Sequence, residues 1–237
     1  MAEELQKEKL KALQLTLDKI DKTYGKGTVM KLGDLFDKYG CDKHKKHNYD
    51  KVYEPYMQPL KDDGLKVLEV GIFRGESMEA FHEYFPNADL YGIDIFTRTH
   101  PRDLEILQQE RCHWIKGDSM SPVVGPQLRE KFGLIKFDII IDDGMHNPKA
   151  NMLTMHNLLP FLADGGSYFI EDVFPMEKMT TKELEHPWLL RHPDQYNHMD
   201  NNMFLNALDK TGLTIERYDL RKTTGQPDSY IIRIEKP

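Results

Sequence analysis

Asp142, Asp143 and His146 stand together in FDIIIDDGMH, residues 137 to 146, behind a run of apolar β-branched side chains. Two carboxylates and an imidazole this close in sequence can hold a hard cation and move a proton. A second acidic pair, Glu171-Asp172, follows SYFI in the same manner. If the two runs are neighbouring strands, Asp143, Glu171 and Asp172 converge on one divalent cation with oxygen ligands. One carboxylate after a strand is commonly a helix cap or a surface charge. Three at adjacent strand ends make a constellation.

Such groups need buried parallel strands to position them, and strands covered on both faces read as continuous apolar runs. Phe137 with Ile139 to Ile141 is one, and Tyr168 to Ile170 is another. In open α/β sheets the carboxyl ends of such strands are where ligands bind. An earlier unit follows the same plan: Val67, Leu68 and Val70, then Gly71 and Gly75 in a turn, then a helix from Ser77 to Tyr84. Phe73 breaks the G-x-G-x-x-G fingerprint, which argues against a nicotinamide or flavin enzyme. Asp94 closes the next strand, Asp89 to Ile95, about 20 positions beyond the glycine turn, where an acid accepts hydrogen bonds from ribose hydroxyls. Together these two features point to adenosine. A strand over Cys112 to Ile115 leads into Gly117-Asp118-Ser119, where Asp118 either meets an adenine amino group or closes a β-turn.

The spacing predicts a helix over Asn147 to Leu162 with Pro148 in its first turn and a stop at Gly165-Gly166. Residues 175 to 200 lack periodicity and read as a lid, with Trp188, His192, Tyr196 and His198 as candidates to stack on or hydrogen-bond a sugar-like substrate. A helix over Asn201 to Thr211 and strands over Leu213 to Leu220 and Ser229 to Glu235 close the chain, the two strands pairing through Arg221 to Asp228. At the front, Leu10, Leu13, Leu17 and Ile20 define an amphipathic helix over residues 4 to 22, and Thr28 to Leu32 a short strand before a Gly33-Asp34 turn. Residues 35 to 60 read as a solvated helix–loop–helix in which Tyr49, Tyr53 and Tyr56 keep roughly helical spacing. KHKKH, Lys43 to His47, reads as a wet positive surface.

With 237 residues, 39% hydrophobic and 10% aromatic, the chain can bury a substantial core. A net charge of −7 argues against nucleic acid and anionic membrane surfaces as partners. There is neither a bilayer-length apolar run nor a signal-peptide core in MAEELQKEK, so the cytoplasm is the expected compartment. Cys41 and Cys112 lack CxxC spacing and read as free thiols.

DKYGCDK with His47, Tyr49, Tyr53 and Glu54, then VLEVGIFRGES, YGIDI, IDDGMH and FIEDV, resembles the metal-dependent sugar O-methyltransferases of macrolide biosynthesis, the mycinamicin and demethylmacrocin type, over residues 35 to 237. The resemblance implies an α/β, Rossmann-like class I methyltransferase fold: a seven-stranded, mostly parallel sheet with an antiparallel last strand and helices on both faces. It implies S-adenosylmethionine and Mg2+ as cofactors and a glycoside or other sugar-containing small molecule as substrate. Carried over by motif, it makes Asp143, Glu171 and Asp172 the magnesium ligands and His146 the general base. Glu69, Gly71 and Asp94 would hold the methionine and ribose portions of the cofactor, Asp118 and Ser119 would lie near the adenine, and Lys38 and Tyr39 would line the methionine end. Asp142 stands on the cofactor side as a neighbouring support. The cephalosporin hydroxylase-like proteins share these motifs and are the alternative, with a different metal-dependent activity.

KEKLKALQLTLDKIDKTYGKGTVMKLGD, residues 7 to 34, resembles the extreme amino terminus of a Bacteroidetes RecA recombinase. No GxxxxGK[ST] phosphate loop follows, so the ATPase activity of that family is not implied. Residues 1 to 34 are thus expected to be a fusion scar, a captured gene start, or an arm that docks on RecA, and the methyltransferase-like domain occupies residues 35 to 237. A homo-oligomer is compatible with either arrangement.

Overall fold

The computed structural model describes residues 31 to 237. The helix expected over residues 4 to 22 and the body of the strand expected from Thr28 lie outside the described residues. Leu32 does not end a strand, and Gly33-Asp34 is not a turn. Both belong to helix α1 (Leu32–Tyr39), which Gly40 closes in the left-handed conformation. Leu32, Leu35 and Phe36 of α1 are fully buried, so α1 is part of the folded domain and spans the boundary expected at residue 34.

The elements then follow as α2 (Asp50–Met57), β1 (Lys66–Val70), α3 (Glu76–Tyr84), β2 (Asp89–Asp94), β3 (Cys112–Lys116), α4 (Val124–Phe132), β4 (Phe137–Asp142), α5 (Pro148–Leu158) and β5 (Leu162–Ile170). The chain closes with α6 (Thr181–Leu184), α7 (Pro187–Arg191), α8 (His198–Lys210), β6 (Thr214–Asp219), α9 (Arg221–Thr224) and β7 (Tyr230–Glu235). The sheet has seven strands in the order β3-β2-β1-β4-β5-β7-β6. β1 to β5 pair in parallel, whereas β7 runs antiparallel to both β5 and β6. This is the expected mostly parallel sheet with an antiparallel last strand.

Period-two alternation divides the strands between two cores. Val67, Ile139, Ile141 and Phe169 face α1, α2 and α3, while Leu68, Val70, Ile140, Tyr168 and Ile170 face α4, α5 and α8. Order reverses at β1, with β2 on one side and β4 on the other. The crevice at such a switch point is the expected ligand site. The two glycines Gly165-Gly166 do not stop α5. That helix ends at Leu158, a 3-10 turn over Leu159–Phe161 follows, and the glycines lie inside β5, beside a register shift between Phe137 and Ile139.

Residues 175 to 200 share a small separate core with Phe174, made by Met176, Met179, Leu189 and Tyr196 packed with that ring. Thr180 and Glu183 form a capping box for α6, and His186 caps α7. The KHKKH cluster is a wet surface only in part: Lys45 and Lys46 are exposed, whereas Lys43 and His47 are 2% and 1% exposed.

Candidate active site

Strand pairing continues past the strand ends and gathers the acidic groups. Asp143 N donates to Val70 O at 3.0 Å, and Glu171 N donates to Asp142 O at 3.0 Å. The rims of β1, β4 and β5 are therefore held side by side through main-chain bonds. Gly71, in the left-handed region at φ +87°, lies against this junction. Of the five described non-glycine residues at positive φ, Phe73, Phe96, His146 and Asp172 follow β1, β2, β4 and β5 respectively. Each such residue costs about 1–3 kcal/mol and persists only where its surroundings enforce it, a pattern typical of ligand sites.

Asp143, His146 and Asp172 each offer one ligand atom, and these atoms lie within 4.8 Å of one another. His146 Nε2 is 3.5 Å from Asp143 Oδ1, and His146 Nδ1 is buried with no partner. Tyr49 fixes Asp172 from behind: its hydroxyl accepts from Asp172 N at 3.0 Å and donates to Asp172 Oδ1 at 2.6 Å. His47 stacks on Tyr49 and lies 3.5 Å from the same Asp172 oxygen, with Ser229 Oγ at 2.9 Å. Burial pushes the Asp172 carboxyl up, His146 opposes this, and Asp143 adds to it. Carboxylate oxygens from two strand ends, this close together, suit a hard divalent cation, with the imidazole beside them.

Glu171 is drawn elsewhere. Its carboxylate accepts from the Tyr53 hydroxyl and from Lys43 Nζ, and it is 1% exposed. Lys43 also donates to Asp143 Oδ2 at 2.5 Å and lies 3.9 Å from Glu69 Oε1. Burial alone would lower the Lys43 ammonium, but Asp143 and Glu171 outweigh it and raise it well above the usual lysine range. Burial likewise pushes the Glu171 carboxyl well up, against the pull of Lys43.

On the cofactor side, Glu69 Oε1 accepts from Ser77 Oγ at 2.6 Å, while Glu69 Oε2 is buried without a partner. That orphaned acceptor at the end of β1 fits a cationic amine such as the amino-acid end of S-adenosylmethionine. Burial, offset in part by Lys43, pushes the Glu69 carboxyl up to about 7. Asp94 accepts from Phe73 N at 3.0 Å and Phe96 N at 2.5 Å, which ties the β1 and β2 rims together. Asp118 Oδ1 accepts from Met120 N at 2.9 Å, the β-turn alternative, and its side chain stays exposed. Ser119 Oγ pairs with Thr154 Oγ1 at 2.9 Å. Asp142 is an interior support: it is 2% exposed, 3.4 Å from the Tyr168 hydroxyl, and pushed up to about 7 by burial.

Lys38 and Tyr39 are not brought to the rim. Both bond Glu83 near the end of α3, which runs away from the glycine turn. The DKYGCDK stretch reaches the site through Lys43 instead, a residue whose role no periodicity announces. In the lid, Trp188 Nε1 donates to the Tyr196 hydroxyl at 3.1 Å, and the Trp188 and His192 rings lie 4.4 Å apart. These three make one aromatic group, whereas His198 opens α8. Cys41 and Cys112 are free, and no helix among the described residues is long and apolar enough to cross a membrane.

No protein-family model matches the chain. Over 149 residues it is 30% identical to a Streptomyces olivaceus 8-demethyl-8-alpha-L-rhamnosyl tetracenomycin-C 2'-O-methyltransferase, covering 60% of this chain and 37% of that protein. Over 135 residues it is 28% identical to the demethylmacrocin O-methyltransferase of Streptomyces fradiae, covering 54% of this chain and 32% of that protein. The chain thus spans about a third of the length of the curated relatives it matches. In fold it is similar to the MycE methyltransferase of the mycinamycin pathway, solved in complex with Mg, SAH and mycinamycin VI. The TM-score is 0.62 at 19% identity, over 92% of this chain and 61% of that one. A separate 29-residue stretch is 83% identical to RecA of Cytophaga hutchinsonii, covering 12% of this chain and 8% of RecA. The chain is accordingly similar in sequence, over somewhat more than half of its length, to sugar O-methyltransferases, carries the Rossmann-like methyltransferase fold, and includes a short stretch similar to RecA.

Proposed function

We propose that this protein transfers a methyl group from S-adenosylmethionine to a hydroxyl of a sugar or glycosylated small molecule in the cytoplasm. The observation that carries this reading is the meeting of Asp143, His146 and Asp172 in one ion-sized group at the rim of β4 and β5. The unpartnered Glu69 carboxylate oxygen near the Gly71 turn adds to it. The tetracenomycin relative acts, by its name, on a rhamnosyl-bearing compound, and the same substrate class is proposed for this chain.

Methyl transfer from a sulfonium is an in-line displacement, so the protein must align the acceptor oxygen and raise its nucleophilicity. A divalent cation held by Asp143 and Asp172 would supply Lewis acidity toward the acceptor hydroxyl. His146 takes the hydroxyl proton at Nε2 in this reading, because a hard cation prefers oxygen donors and leaves the imidazole for proton transfer. Asp143 Oδ1, 3.5 Å from that nitrogen, stabilises the ring once it carries the proton. Glu69 and Gly71 receive the methionine end of the cofactor, Asp94 the ribose hydroxyls, and Asp118 with Ser119 the adenine side. Trp188, His192 and Tyr196 offer an aromatic wall to the sugar.

A labelled methyl-transfer screen over glycosides, with and without Mg2+, tests the reading directly. Metal-dependent incorporation into a glycoside is expected, and incorporation into none of them overturns it.

A second reading concerns the RecA-like stretch alone, favoured by its 83% identity over 29 residues. In that reading the segment recruits the domain to RecA. Removal of residues 1 to 30, which stops short of the buried α1, should leave catalysis intact and abolish co-purification with RecA. Unchanged co-purification eliminates recruitment.

A further inference from the structure

Lys43 lies between α1 and α2 with its ammonium among three carboxylates, one from each of three strand ends. A buried ammonium costs several kcal/mol unless it is paired, and Glu171 and Asp143 supply that pairing. The two oxygens of Asp143 are divided. Oδ2 faces Lys43, whereas Oδ1 faces His146. Glu171 has one oxygen on Lys43 and the other on the Tyr53 hydroxyl, so it is absent from the ion-sized group of Asp143, His146 and Asp172. Sequence pattern alone would give all three carboxylates to the cation. In place of that group, Glu171 faces Lys43 and Tyr53.

We propose that Lys43 is an internal cation that competes with a divalent ion for Asp143 and Glu171 and so sets how tightly the rim holds metal. This rests on the reading of the rim as a divalent-cation site. Positive charges that share one carboxylate repel, and a divalent ion that recruits Glu171 must break its contact with Lys43. A lysine suits such a role, since its ammonium is a point charge on a flexible four-carbon stem that can give way without a fixed fork of donors. Lys43 is therefore a positioning residue that acts through Asp143 and Glu171. A purely structural brace predicts the opposite sign: its loss would disorder the carboxylates and weaken metal binding.

The test is Mn2+ binding to the full-length protein, read from the electron paramagnetic resonance signal of free Mn2+, which does not depend on turnover. Lys43→Met should bind Mn2+ roughly tenfold more tightly than the wild type or better, and Lys43→Arg, which keeps the charge, should remain near the wild-type affinity. Mg2+ should also raise the Tm of Lys43→Met more than that of the wild type. Where Lys43→Met does not fold, Lys43→Gln carries the test, because its amide can still donate to Asp143 without the charge. Equal or weaker Mn2+ binding by a folded, uncharged variant overturns the competition. Absence of binding by every protein, wild type included, instead overturns the divalent-site reading on which the inference stands.

Discussion

A Cβ placed on Gly71 would sit 2.0 Å from the carbonyl oxygen of Asp143. The glycine turn that follows β1 and the acidic loop that follows β4 thus share one small volume, and only a residue without a side chain permits it. The neighbouring atoms are main chain, held in place by the bond from Asp143 N to Val70 O, so they cannot rotate away. Gly71→Ala combines this clash with a left-handed backbone at φ +87°. It should destabilise the protein by more than ~2 kcal/mol and displace Asp143, measured as a lower denaturation midpoint together with lost Mn2+ binding. An unchanged midpoint would show that the two loops can separate freely.

His146 is the proposed proton acceptor, and it too has a left-handed backbone, at φ +55°. Asn tolerates that conformation, so His146→Asn removes the imidazole with little added strain. Turnover should fall by about 10²–10⁴-fold while S-adenosylhomocysteine binding, measured by calorimetry, stays unchanged. Asp143→Asn should lose turnover and Mn2+ binding together. Wild-type turnover in either variant at saturating metal rules out the assigned roles.

The acids after β4 and β5 were legible because those strands are buried on both faces and read as apolar runs followed by carboxylates, whereas Glu69 lies inside β1 and came only from the family resemblance. His146 was legible from its distance to Asp143. Lys43 and His47 were not, since a KHKKH run has the composition of solvent-facing surface. Only the packing of residues 41 to 49 over three strand ends, a contact across 100 to 128 positions of chain, reveals their burial. Helix α4 is hidden by Gly125 and Pro126 in its first turn. The pair Gly165-Gly166 misleads for the opposite reason: glycines mark a helix end in many sequences, but here Gly166 sits where a Cβ would meet Asp138 O at 3.0 Å, inside the sheet.

Glu69 gives the protein a pH signature. In the folded chain its carboxyl is pushed up to about 7 by burial. An exposed glutamate in the unfolded chain titrates near ~4.3. Between these values the folded state holds a proton that the unfolded state has released, so stability falls as pH rises through this window and levels off above it. In protein free of metal and cofactor, Glu69→Gln should match the wild type near pH 4 and exceed it at pH 8 by on the order of 2–3 kcal/mol, since the amide still accepts from Ser77. Asp142, also pushed up to about 7, keeps a share of the slope in the variant. Denaturation midpoints across this range check the difference, and a variant that parallels the wild type throughout refutes it.

Trp188 is 44% exposed although its indole N–H is bonded to Tyr196 and its ring lies against His192. A large aromatic face held rigidly and left open to water is suited to stack on the apolar face of a sugar ring. Its contact with an acceptor would be equally strong before and during methyl transfer, because it lies away from the oxygen that reacts. Trp188→Ala should therefore raise KM for the glycoside by roughly tenfold and leave kcat within about twofold. The Tyr196 hydroxyl, its partner, lies close enough to Asp172 and Asp228 for their charges to help raise its pKa, after burial as the main cause. Tyr196→Phe should thus disturb the lid and the rim together and lower kcat as well as raise KM. Steady-state kinetics on one accepted glycoside separates the two variants, and a Trp188→Ala enzyme that loses kcat at constant KM would place this ring at the reacting centre rather than on the wall of the acceptor site.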